Sequence, residues 1–173
     1  MSALAKDAGA VAAWVRLGVA VAVGLSLDRL PAWGGAVALV ACVWLDALAG
    51  YGLRRWGTES TRAREGAELL ADFGCFALLP AAWALRLNGE SLALRIACAG
   101  FVLAAVVRLV RFHAEGLVAG KYRGLPTTYC GYAVPILAGV IYLAGLPAVP
   151  TWIVGLAGLA WAMNSGRLRV PEF

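Results

Sequence analysis

Residues 31–50 read Pro-Ala-Trp-Gly-Gly-Ala-Val-Ala-Leu-Val-Ala-Cys-Val-Trp-Leu-Asp-Ala-Leu-Ala-Gly, a run of apolar and small side chains interrupted by a single charge, Asp46. About 20 such residues wound as a helix rise about 30 Å, the thickness of a bilayer's hydrocarbon. A helix bonds its own N–H and C=O groups, so it tolerates a solvent that offers them no partners. Outward from this stretch the pattern recurs at 8–27, 66–87, 92–112, 127–146 and 147–165, separated by short connectors. The sequence therefore predicts an all-α, polytopic membrane bundle of about six transmembrane helices, folded as a single membrane domain over 1–173. The first stretch follows Lys6 and Asp7 and has no small-residue cleavage site, so it is expected to be a retained helix.

Composition agrees. Hydrophobic residues make up 62% of the chain and charged ones 14%, with a mean hydropathy of +0.78, outside the range of an ordinary soluble domain. A net charge of +5 could signal nucleic acid, but the bases follow the connectors instead, and no nucleic-acid partner is expected. Lys6, Arg54, Arg55, Arg62, Arg64, Arg108, Arg111, Lys121, Arg123, Arg167 and Arg169 fall on one side of a six-span arrangement. Arg29, Arg86 and Arg95 fall on the other, and Arg16 is left inside the first span. Basic residues favour the cytoplasmic face, where they also meet anionic membrane lipids. The expected location is a prokaryotic cytoplasmic membrane, with both termini and the active site on the cytoplasmic side.

Cys42, Cys75, Cys98 and Cys130 each fall within a predicted span without zinc or redox spacing, and read as small core hydrophobes. Tryptophans such as Trp14, Trp44, Trp56 and Trp152 read as anchors at helix ends. His113, the one histidine, reads as a residue at the membrane surface.

The intramembrane carboxylates need an explanation, because each costs about 2.5–3.5 kcal/mol near a helix centre on insertion scales. Asp46 lies about one turn before the end of the second span. Glu65, Glu68 and Asp72, spaced i, i+3 and i+7, share one face at the start of the third. In an antiparallel hairpin Asp46 can turn toward that acidic stripe. Two explanations stand equally: a hard divalent cation, which selects oxygen ligands, neutralises the acids; or Arg54, Arg55, Arg62 and Arg64 pair with them at the interface.

Residues 46–72 resemble the signature of the CDP-alcohol phosphatidyltransferases, D-x2-D-G-x2-A-R-x8-G-x3-D-x3-D. Asp46 matches its first aspartate, Gly50 its glycine, Arg54 its arginine, and Glu68 and Asp72 its last two acids, with one residue inserted in the connector. The run 68–81, ending Leu-Pro-Ala, is similar to the phosphatidylserine synthase branch, as are Arg108-Leu109-Val110-Arg111-Phe112, Arg123-Gly124-Leu125-Pro126-Thr127 and the tail 164–173. The resemblance implies six transmembrane helices, a homodimer, and transfer of a phosphatidyl group from a CDP-linked lipid such as CDP-diacylglycerol to a small hydroxyl acceptor such as serine, releasing CMP. It implies Asp46, Glu68 and Asp72, with Glu65 as a further candidate, as ligands of Mg²⁺ or Mn²⁺, or of Ca²⁺. It also implies Asp72 as the base that activates the alcohol, and Gly50 and Arg54 facing the nucleotide. Arg111, Lys121 and Arg123, around the fourth connector, are candidates for holding phosphate.

The chain departs from the pattern at definite places. Ala49 stands where the second aspartate would be, Glu68 replaces an aspartate, Leu53 replaces the small residue before Arg54, and Ala63 or Arg64 falls on the second glycine, with Gly66 out of register. These departures keep a second expectation open: a catalytically degenerate relative that binds a lipid or nucleotide, or serves as a partner protein.

Overall fold

A computed structural model of the chain describes residues 3–56, 62–89, 91–116 and 120–171. The described residues form α1 (Ala3–Ser26), α2 (Gly34–Trp56), α3 (Arg62–Phe73), α4 (Leu79–Asn88), α5 (Leu92–Glu115), α6 (Cys130–Leu143) and α7 (Ala148–Asn164), with two short strands, β1 (Lys121–Arg123) and β2 (Arg169–Pro171). A π-helical turn, Gly74–Leu78, joins α3 to α4 and makes Arg64–Asn88 one long rod. In that turn the Leu79 N–H donates to the Gly74 carbonyl, and Pro80, which has no N–H, follows immediately.

The fold is all-α in its architecture, and among the described residues four helical segments are long and apolar enough to cross a membrane: Val11–Arg29, Gly34–Gly52, Arg64–Asn88 and Leu92–Glu115. Six were expected. The last two helices do form where the sequence places them and are apolar, but they are shorter. The 17 residues of α7 reach only about 25 Å at 1.5 Å per residue. Large apolar side chains such as Leu25, Leu92, Tyr142, Leu143 and Val154 face outward, as a lipid-bathed surface requires.

Arg64–Asn88 forms the centre of the bundle: 56% of that segment is buried, against 22–33% of the other three long spans. Phe76 from the π-helical turn packs in a core with Leu39, Phe101, Val134, Leu156 and Met163. All four cysteines are buried and free. Gly131 sets how closely α6 approaches, since a Cβ there would lie 2.3 Å from Val43 Cγ2 and 3.1 Å from the Phe76 ring. Trp152, expected as a surface anchor, is instead buried, edge-on to Trp83 at 6.3 Å between centroids. The Trp83 indole N–H donates to the Ala32 carbonyl at 2.9 Å, so a polar tip is satisfied inside an apolar core.

One end of the bundle is closed by a strand pair that hydropathy does not forecast. Antiparallel β1 and β2 pair Lys121 with Pro171, Tyr122 with Val170 and Arg123 with Arg169. Gly124 follows at φ +83°, and a Cβ there would meet the Met163 carbonyl oxygen at 2.1 Å. The Leu125 N–H donates to the Ala162 carbonyl at 3.0 Å, which fixes the segment before α6 onto the end of α7.

Candidate functional site

Two acids and one arginine meet at the end of the bundle that β1 and β2 close. Ala13, Ala67 and Ala71 form a small cluster between α1 and α3, and these side chains let the two helices approach closely. Arg16, one turn after Ala13, then reaches across. Its Nη1 donates to Asp46 Oδ1 of α2 and, at 3.3 Å, to Asp72 Oδ1 of α3. Arg16 is 3% exposed, its Nε has no hydrogen-bond partner, and its carbonyl accepts the Cys75 thiol at 3.5 Å. Asp46 Oδ2 faces the Thr128 hydroxyl, also at 3.5 Å.

The second and third spans therefore do bring Asp46 and Asp72 together, as the antiparallel hairpin predicts. The arginine between them is not one of the connector arginines the sequence suggests. Arg64 pairs instead with Glu68, one turn before Asp72, through Nε to Oε1 at 2.8 Å. Glu65 lies in the first turn of α3. Arg54 lies near the end of α2, and its side chain is outside the described residues.

This donor set does not fit the divalent ion that the family resemblance implies. Mg²⁺ requires near-octahedral oxygen coordination, and Ca²⁺ takes six to eight oxygens. Among the described residues no group of three or more His, Cys, Asp or Glu side chains is arranged to hold a metal. Asp46 and Asp72 present two carboxylates with a guanidinium already between them, and Glu68 is committed to Arg64. Ala49, one turn beyond Asp46, contributes no oxygen.

Beside the acid pair opens a cavity of about 550 Å³. Its lining includes Asp46 and Gly50 of α2, Asp72 of α3, Arg108 of α5, Tyr122 of β1, and Thr127 and Thr128. A Cβ on Gly50 would meet nothing within 4 Å, so this helix backbone is open to whatever fills the space. Arg108 is the cationic side chain of the lining among the described residues, and the sequence reading did not single it out as a site residue. It is buried; its Nε donates to the Leu125 carbonyl at 3.3 Å, and its guanidinium lies 4.8 Å from the Phe112 ring centroid and 5.7 Å from that of Tyr122. Its signal was present in the Arg-Leu-Val-Arg-Phe run, where it stands three residues before Arg111.

Arg111, Arg123, Lys121 and His113 lie outside the lining. Arg111 donates to the carbonyls of Asn164 (3.3 Å), Arg123 (3.3 Å) and Met163 (2.9 Å), tying α5 to the end of α7 and to β1. Arg123 lies 3.6 Å from Glu115, Lys121 is exposed on β1, and His113 is exposed near the end of α5. The cavity lining therefore combines carboxylates from α2 and α3 with a guanidinium from α5 and two threonines. Such a lining offers a cation to a phosphate and carboxylates to a hydroxyl. No family model matches the chain, and no curated protein matches it.

Proposed function

We propose that the chain is a membrane enzyme that transfers a phosphatidyl group from a CDP-linked lipid to a small hydroxyl acceptor and releases CMP. One observation carries this reading. The separate segments that resemble the phosphatidyltransferases, 46–72, 108–112 and 123–127, converge on a single cavity, lined by Asp46, Gly50 and Asp72 from the first, Arg108 from the second and Thr127 from the third. In this reading six helices cross the membrane and the cavity opens at the cytoplasmic face, as the exposed bases Lys121, Arg123, Arg167 and Arg169 at that end favour. The protein works as a homodimer.

The chemistry follows from the charged groups of the lining. The acceptor's hydroxyl oxygen attacks the lipid-side phosphorus, a new P–O bond forms, and the P–O bond to CMP breaks. The hydroxyl proton passes to Asp72, which uses Oδ1 toward Arg16 and whose side chain borders the cavity. Arg108 faces the charge gathering on the phosphates. Gly50 leaves room for the nucleotide against α2.

The test is CMP release by purified protein given CDP-diacylglycerol and serine or another small alcohol, expected in the parent and abolished by Asp72→Asn. Ala49 favours a second reading, binding without turnover. If no acceptor yields CMP while CDP-diacylglycerol still binds, transfer is wrong and the second reading holds; recovery of CMP release in Ala49→Asp would identify a lost catalytic function.

A further inference from the structure

We infer that Arg16 is a built-in counter-ion that occupies the place of a divalent cation between Asp46 and Asp72, so that this acid pair is held together without metal. The inference comes from the geometry of three side chains and stands whether or not phosphatidyl transfer occurs.

A buried arginine inside a membrane span is costly, and it persists where it has a partner or a use. Arg16 lies in the Val11–Arg29 span, is 3% exposed, and places one nitrogen, Nη1, against a carboxylate oxygen from each of two different helices. Bridging acids from α2 and α3 is the arrangement in which a cation is needed, since two carboxylates brought together in a low-dielectric site repel strongly. A resident guanidinium removes that need and opposes a second cation by like-charge repulsion. The rest of the set is consistent. The next acid along α3, Glu68, is paired with Arg64, and Ala49 supplies no ligand one turn from Asp46. The alanine contacts between α1 and α3 are what allow a side chain from α1 to reach the pair.

The experiment is a Mn²⁺ titration of the purified full chain in detergent, with free Mn²⁺ read by electron paramagnetic resonance. The parent is expected to show no Mn²⁺ binding that depends on Asp46 or Asp72, so Asp46→Asn leaves its titration unchanged. Arg16→Met is expected to bind Mn²⁺ about tenfold or more tightly than the parent, because the competing positive charge has gone, and Asp46→Asn in that background should abolish the gain. Stoichiometric binding by the parent that disappears in Asp46→Asn overturns the inference. So does an Arg16→Met protein that folds and gains nothing. Should Arg16→Met fail to fold, Arg16→Met combined with Asp46→Asn and Asp72→Asn is expected to fold, since it removes the stranded charges along with the arginine, and the parent titration remains decisive. The readout needs neither CMP release nor a lipid substrate, so a failed transfer assay and a failed counter-ion assignment are told apart.

Discussion

Arg108 and Arg111 stand three residues apart on α5, and their replacement by methionine should cost similar stability but differ in its effect on ligand affinity. Arg111 donates three hydrogen bonds to main-chain carbonyls and borders no part of the cavity. With charged donors contributing about 1.5 kcal/mol or more each, but not additively, Arg111→Met is expected to cost about 3 kcal/mol of stability. It should leave ligand affinity in the folded fraction within about twofold, because no bond to the ligand is removed. Arg108→Met loses one carbonyl bond and two ring contacts, about 2–3 kcal/mol of stability, and also the cation of the cavity lining. Loss of a charge-assisted contact to phosphate, about 2 kcal/mol, raises Kd about thirtyfold. Arg108→Lys keeps the charge but not the planar fork, and should fall between. Thermal unfolding in detergent and binding of a fluorescent CDP-diacylglycerol analogue measure the two quantities separately. If Arg108→Met folds and binds as the parent does while Arg111→Met loses affinity, the assignment of Arg108 as the phosphate-binding cation is wrong.

Three further outcomes follow from the same geometry. Gly50→Leu should keep or raise the unfolding temperature, since a Cβ there meets no protein atom within 4 Å and Gly is a poor helix former by about 1 kcal/mol, yet it should block ligand binding. Gly124→Ala should destabilise by about 2 kcal/mol or more, because it combines φ +83° with a Cβ 2.1 Å from the Met163 oxygen, and thermal unfolding reads it. Trp83→Phe should destabilise the fold by about 1 kcal/mol or more through loss of the bond to Ala32 and of buried ring volume, read by thermal unfolding, with CDP-diacylglycerol affinity unchanged because Trp83 lies outside the cavity lining.

Much of the architecture was legible because hydrophobic run length is a local property. Each predicted stretch, 8–27 through 147–165, became a helix at nearly the expected place. The number of long spans was less legible, since the final two helices stop at Leu143 and Asn164, short of the length the apolar composition suggests. The strand pair was invisible: three residues at 121–123 and three at 169–171 carry no pattern until α7 brings them side by side.

At the site, the meeting of Asp46 with Asp72 could be read from spacing on two consecutive helices. Arg16 could not be assigned to them, because its approach depends on the alanine contact between α1 and α3, a tertiary fact. The roles of Arg108 and Arg111 were likewise undecided by sequence. Both belong to the same basic run, and which one faces the cavity depends on where the last carbonyls of α7 lie, since these take Arg111.

The account's central claim concerns where a phosphate-bearing ligand sits, and a structure of the protein bound to CDP-diacylglycerol tests it most directly. The diphosphate is expected in the cavity against Arg108, with the nucleotide against Gly50. A diphosphate ordered at Lys121 and Arg123 on the outer surface, with the cavity empty, would contradict it.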